Sequence, residues 1–289
     1  MEIKKVYINE ETYPSLLREI KEPPDPLFYI GHLQLASQRC VAVVGSRKAT
    51  GYGCWAAELL GQRLAENGVS VVSGMAKGID TCAHRGALSA ETKNQKKNTI
   101  AVLGCGIDIC YPASNLKLRD SIAGAGLILS EYPAGTQPAR YTFPRRNRII
   151  SGLCEATVVA QAGNNSGALI TAEMAADQGR SVYAIPANIN SALHLGSNKL
   201  LRDGAMPLVI LEDLLEDLGI SSVPSENFEK NFGSEENRVL RALKGQGEMT
   251  VDQLCSAIGR PVSETSGIVT ILEMKGAICT SFGKIFIAK

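Results

Sequence analysis

Six short apolar runs, rich in β-branched residues, punctuate this chain at residues 41–45, 69–73, 99–103, 127–130, 157–160 and 181–185. Most give way to a loop of small or polar residues and then to helical periodicity, as in Trp55, Leu59, Leu60 and Leu64, or in residues 81–90, 116–123 and 168–178. Strands that are apolar throughout must be covered on both faces, and strand–helix alternation supplies the cover. The expectation is an α/β fold with a doubly wound parallel sheet.

The flanks read differently. In residues 1–38, Pro23-Pro24-Asp25-Pro26 forbids a long helix, so an irregular lead-in packed on the sheet is expected before a main domain at 39–220. Residues 221–233 are rich in Ser, Pro, Asn and Glu and read as a linker. Residues 234–289 suggest three short helices, at 235–243, 251–258 and 263–275, then two small strands around Ser281-Phe282-Gly283-Lys284. That is a winged-helix pattern.

With 289 residues, 45% of them hydrophobic, the chain can bury one large core and carry a small second domain. A formal net charge of +1 excludes a uniformly basic DNA binder, so any phosphate site must be a local concentration of charge. No apolar run approaches the roughly 20 residues of a membrane helix, and residues 1–11 do not resemble a leader. A cytoplasmic protein without membrane contact is expected. The eight cysteines include no CxxC pair and read as buried, reduced thiols; His32, His84 and His194 are far apart. Neither metal nor cofactor is expected.

In a parallel sheet, ligands collect beyond the carboxyl ends of the strands, where helix N-termini attract anions. Four loops fit. Gly45-Ser46-Arg47-Lys48 offers a hydroxyl and two cations. Ser73-Gly74-Met75-Ala76-Lys77-Gly78-Ile79-Asp80 lets the backbone approach a ligand closely. Phe143-Pro144-Arg145-Arg146-Asn147-Arg148, with Arg140 upstream, places guanidinium groups beside an aromatic ring. Gly163-Asn164-Asn165-Ser166-Gly167-Ala168-Leu169-Ile170-Thr171 opens an amphipathic helix. Each also has a plainer reading: a glycine turn with surface charges, a solvated basic helix start, a helix cap.

Enzyme signatures are thin. No GxxxxGK[ST] occurs, and the second strand ends Val71-Val72-Ser73-Gly74 without the acid that would hold a ribose. Asp80 and His84, four residues apart, could pair on one helical face, but no nucleophile accompanies them. No catalytic residue is assigned.

These segments together resemble the DprA/Smf family of bacterial DNA-processing proteins, from about Tyr13 to Val209. The likeness rests on Val44-Gly45-Ser46-Arg47, the 73–80 loop with Ala83-His84, Gly104-Cys105-Gly106-Ile107-Asp108 with Tyr111-Pro112, Ser130-Glu131-Tyr132-Pro133, residues 143–150 and residues 166–172. The resemblance implies an extended Rossmann-like sheet that dimerises, binds single-stranded DNA in a basic pocket and loads the RecA recombinase, with no catalysis. Ser46, Arg47, the 143–148 stretch and the 166–171 loop are the positions it implicates. Together with the loop reading, the expected DNA- or phosphate-binding set is Ser46, Arg47, Lys48, Lys77, Phe143, Arg145, Arg146, Asn147, Arg148, Asn165, Ser166, Gly167 and Thr171. Many members have lysine at Asn165, serine at Ala168 and glycine at Ala187.

Two other readings compete. A nucleotide-processing enzyme similar to nucleoside monophosphate phosphoribohydrolases would place a PGGxGTxxE loop at residues 162–173; the paired glycines are absent, although Glu173 keeps a similar offset. A sequence-specific regulator would use the 263–275 helix, whose Glu264 and Glu273 outweigh Lys275, so phosphates would be repelled. An apolar stripe at Leu200, Leu201, Leu211, Leu214 and Leu215 is expected to serve dimerisation.

Overall fold

The computed structural model describes residues 2–92, 96–220, 232–275, 277–281 and 283–287. The chain divides into two compact units, Met1–Val223 and Pro224–Lys289. Most of the expected linker at 221–233, and the Phe282 of the small strands, lie outside the described residues.

The first unit is built on a nine-stranded sheet: β1 (Lys4–Val6), β2 (Leu27–Gly31), β3 (Cys40–Gly45), β4 (Ser70–Ser73), β5 (Thr99–Leu103), β6 (Leu127–Ser130), β7 (Ala156–Gln161), β8 (Ser181–Ala184) and β9 (Met206–Pro207), in the order 1-2-6-5-4-3-7-8-9. Its helices are α1 (Ser15–Arg18), α2 (Gly51–Glu66), α3 (Ile79–Ser89), α4 (Leu116–Ala125), α5 (Thr142–Gly152), α6 (Gly167–Asp177), α7 (Leu195–Arg202) and α8 (Leu211–Asp217). The two-residue period of a strand explains the two layers. On β3, Val41 and Val43 join α2, α3 and α8 in one core, while Cys40, Ala42 and Val44 join α5 and α6 in the other.

From β3 to β9 and across to β6 the pairing is parallel, as expected. The lead-in differs from expectation. β2 pairs antiparallel with β6, and β1 antiparallel with β2, so the sheet is mixed and the first residues extend it. Prolines exclude a helix at 23–26 but say nothing against Leu27-Phe28-Tyr29-Ile30, an apolar run with Leu27, Phe28 and Ile30 buried. The leucine stripe also differs from expectation. Leu214 and Leu215 are buried, Leu211 packs on the α2–α3 core, and Leu200 packs on the opposite one. Four of its five leucines pack into the chain's own interior, and Leu201 is half-buried.

α2 and α3 approach closely enough that a Cβ on Gly86 would stand 1.9 Å from the Glu58 carbonyl oxygen, and one on Gly61 2.3 Å from that of Ala83. Only glycine permits this backbone contact. Among the described residues no helix is long and apolar enough to cross a membrane. The cysteines form no disulfide; Cys40, Cys82, Cys105 and Cys154 are buried, whereas Cys54, Cys110 and Cys255 are half-buried and Cys279 is exposed.

The second unit has helices α9 (Ser234–Gln246), α10 (Val251–Ile258) and α11 (Val262–Met274), with β10 (Met249–Thr250), β11 (Ile278–Ser281) and β12 (Lys284–Ile287) forming a 10-12-11 sheet. β10 was not foreseen; two residues are too few to show alternation. Thr250 begins α10 with a capping box: its hydroxyl accepts from Gln253 N–H and the Gln253 side chain accepts from Thr250 N–H. Val239, Leu240, Leu254, Leu272 and Ile285 supply its own core.

Candidate nucleic-acid interface

The strand order reverses between β3 and β7, which opens a crevice at their carboxyl ends. A cavity of about 690 Å3 lies there, lined from the loop after β3, from α5, and from the loop that leads into α6.

The first loop is fixed from behind. Ser46 N–H donates to the Gln161 carbonyl oxygen (2.8 Å), and the Thr50 N–H and hydroxyl both donate to Gln161 Oε1 (3.0 Å each). The Thr50 hydroxyl also caps α2 by accepting from Gly53 N–H. Beneath it, Ile79 N–H donates to the Ser46 carbonyl (3.2 Å), and a Cβ at Gly78, whose φ is +78°, would stand 2.3 Å from the Ser46 carbonyl oxygen. The 73–80 loop thus supports the first loop, while Lys77 is exposed and does not line the cavity. Expected there as a ligand, Lys77 is corrected to a position outside the pocket.

α5 is sorted by its helical phase. Phe143, Arg146, Asn147 and Ile150 have the i, i+3, i+4, i+7 spacing of one face and line the cavity. Arg145 and Arg148 project elsewhere. Arg148 makes a two-pronged ion pair with Glu131 (3.1 and 2.9 Å), and Arg145 Nε lies 3.3 Å from the same carboxylate. Neither lines the cavity, contrary to expectation, because three arginines within four residues of a helix cannot share one face.

Arg47 stands over the Phe143 ring, 5.4 Å from its centroid, and the Tyr111 ring centroid lies 5.3 Å from that of Phe143. Arg146 forms part of the floor. Its guanidinium donates to the carbonyl oxygens of Gly74 (2.7 Å) and Val102, and its Nε to Asn147 Oδ1 (3.2 Å). Nearby Asp80 accepts N–H bonds from Gly74 (3.1 Å) and Ala76 (3.3 Å). Burial raises the Asp80 pKa, with Arg146 opposing it; burial lowers that of Arg146, with Asp80 opposing it. Each charge offsets the cost of burying the other.

The fourth loop brings Asn165, Ser166, Gly167 and Thr171 to the same cavity. Ser166 caps α6, its hydroxyl accepting from Ala168 N–H (3.4 Å), so the positive end of an 11-residue helix faces the space beside Arg47 and Lys48. Lys199 of α7 donates to Asn164 Oδ1 (2.6 Å), placing a cation beside this loop. Sequence reasoning did not single out Tyr111, Asn164, Leu193 or the buried anchor Gln161. It noted Arg140, another lining residue, without assigning it a role. The Tyr111-Pro112 pair was the one signal pointing at Tyr111.

Asp80 and His84 do not pair. His84 Nδ1 lies 2.8 Å from Thr99 Oγ1, and the ring is fully buried. Burial, reinforced by the Arg146 charge, pushes its pKa down to about 3. The unfolded imidazole titrates at about 6.5, so below that pH the unfolded chain takes up a proton that the folded chain refuses. Stability from this group is intact above about pH 6.5 and is lost on acidification toward pH 3, approaching about 1.4 kcal/mol per pH unit. His84→Gln should therefore lose less stability than the native chain between about pH 7 and pH 5, read by urea denaturation. An equal loss in both chains contradicts this. Glu173 is exposed and outside the cavity, so the phosphoribohydrolase reading lacks its carboxylate there.

An open α/β sheet with an aromatic, cationic crevice at its switch point, followed by a winged helix, defines a Rossmann-like protein with an appended winged-helix domain. Comparison with known proteins gives the particular family. The family model for DNA recombination-mediator protein A matches residues 4–219, and that for the DprA winged helix domain matches residues 229–284. The chain belongs to this DprA/Smf family. It is 45% identical over 210 residues to the DNA processing protein DprA of Streptococcus pneumoniae, covering 73% of this chain and 72% of the relative. It is 35% identical over 279 residues to the Smf protein of Escherichia coli, covering 93% and 73%. Among solved structures, S. pneumoniae DprA superposes with a TM-score of 0.69 at 43% identity, covering 75% of each chain. The Helicobacter pylori protein, described for its single-stranded DNA binding mode, superposes with a TM-score of 0.68 at 30% identity, covering 75% of this chain and 96% of that one.

Proposed function

We propose that this protein binds single-stranded DNA in the crevice at the ends of β3 and β7, without catalysing a reaction on it. The observation that carries this reading is Arg47 stacked over Phe143, with Tyr111 against the same ring, beside the N-terminus of α6. Phosphates need the cations and free N–H groups; unpaired bases need exposed ring faces, which a duplex cannot use. Ser46, Lys48, Arg146, Asn147, Asn165, Gly167 and Thr171 complete the proposed site, and the single-stranded DNA described for the H. pylori relative supports it.

In the winged-helix unit, Arg238 pairs with Glu235, Arg260 with Glu235 and Glu264, Lys275 with Glu236, and Lys284 with Glu248. The first unit is accordingly proposed to hold the strand. As a cytoplasmic recombination mediator the protein would act as a homodimer and deliver strands to RecA. Light scattering should then give twice the chain mass, and RecA should assemble faster on strands presented with the protein.

A gel-shift comparison tests the binding reading: an oligothymidylate should shift, while a duplex and a mononucleotide compete poorly. Equal competition by duplex overturns it. Release of a free base from nucleoside monophosphates would restore the phosphoribohydrolase reading.

A further inference from the structure

A surface helix normally turns polar side chains to solvent. The outward face of α2 instead begins with Tyr52 and Trp55, which are 49% and 43% exposed, with ring centroids 5.9 Å apart and planes inclined by 32°. Neither ring lines the crevice, but both lie in the first turns of the helix that follows its first loop. Tyr52 follows Lys48, a lining residue, by four positions, and its ring lies 6.4 Å from that of His194. His194 is held by Ser191, whose Oγ is 2.8 Å from its Nδ1, and its predecessor Leu193 lines the crevice. Lys48 on one side and Leu193 on the other thus link the crevice to the exposed rings.

We propose that Tyr52 and Trp55 form a second base-binding site, a shelf on which the bases of a strand continuing out of the crevice stack. The proposal rests on the single-strand reading above. Its occupant is a nucleic-acid base rather than an apolar protein face, because the helix bearing the rings follows directly on the loop whose Arg47 and Lys48 line the crevice and would draw a polyanion toward it. Stacking needs only a ring face, so the shelf should accept any base.

Trp55 is the sole tryptophan, so its emission in the full-length protein reports on the shelf directly. A long oligothymidylate should quench it, whereas a thymidine dinucleotide, filling only the crevice, should leave it unchanged. Tyr52→Ala should weaken binding of the long strand by roughly fivefold or more, with dinucleotide affinity unaltered, and Tyr52→Phe should restore it. Strand binding is read independently by the anisotropy of a labelled oligothymidylate. Binding with Trp55 emission unchanged and Tyr52→Ala without effect overturns the shelf and leaves the crevice reading standing. Absence of binding overturns both. A change in emission with protein concentration alone, unaffected by DNA, assigns the rings to contact between two copies and also overturns the shelf.

Discussion

Arg146→Met is expected to lower the unfolding free energy by about 3–5 kcal/mol, because it removes one partner of a buried charge pair. The guanidinium is almost fully buried, closes the Gly74 and Val102 carbonyls, and is the main charge opposing the desolvation of Asp80. Methionine fills much of the volume but leaves the buried Asp80 carboxyl without its opposing charge. Two further results follow. Asp80→Asn in the same chain should recover part of the loss. The deficit relative to the native chain should also shrink on acidification, since the pKa of Asp80, already raised by burial, rises further without Arg146 and the group becomes neutral. Denaturant titration checks all three; a loss below about 1 kcal/mol would mean that the pair is not a structural keystone of the crevice floor.

The second large effect concerns binding. Arg47 is exposed at the end of β3, held over Phe143 and free of any carboxylate ion pair among the described residues. A charge-assisted hydrogen bond contributes about 1.5–3 kcal/mol, so Arg47→Ala should weaken single-strand binding by about tenfold to a hundredfold. The loss should be similar for every base sequence, because phosphate contacts carry no base information. Losses confined to particular sequences would make Arg47 a reader of bases instead. Folding should be unaffected, since the side chain is not part of either core.

The sheet was legible in the sequence because its strands are apolar on both faces, so 99–103 and 127–130 could be bounded to the residue. The loops were legible because glycine and cations at strand ends have few other uses. Four things were hidden. β2 lay behind a proline cluster that excludes a helix without announcing a strand. The phase of α5 is readable in principle, since Phe143 fixes which face carries Arg146 and which carries Arg145 and Arg148, but closeness in sequence alone groups the three arginines together. Whether the leucines of α7 and α8 meet solvent depends on where those helices pack, and spacing alone does not contain that. Gln161, the buried side chain that anchors the 46–50 loop, sits in a strand and gave no signal at all.

The central claim, that the groups around Arg47 hold the phosphates of a single strand, is tested most directly by oligothymidylate affinity measured across a salt series for the native chain, Arg47→Ala and Lys77→Ala. Each neutralised phosphate of a single strand contributes about 0.7 to the slope of log affinity against log salt, so Arg47→Ala should reduce the native slope by about 0.7. Lys77→Ala, altered outside the crevice, should retain the native slope and affinity. An Arg47→Ala chain with native slope and native affinity would place the strand elsewhere and contradict the account.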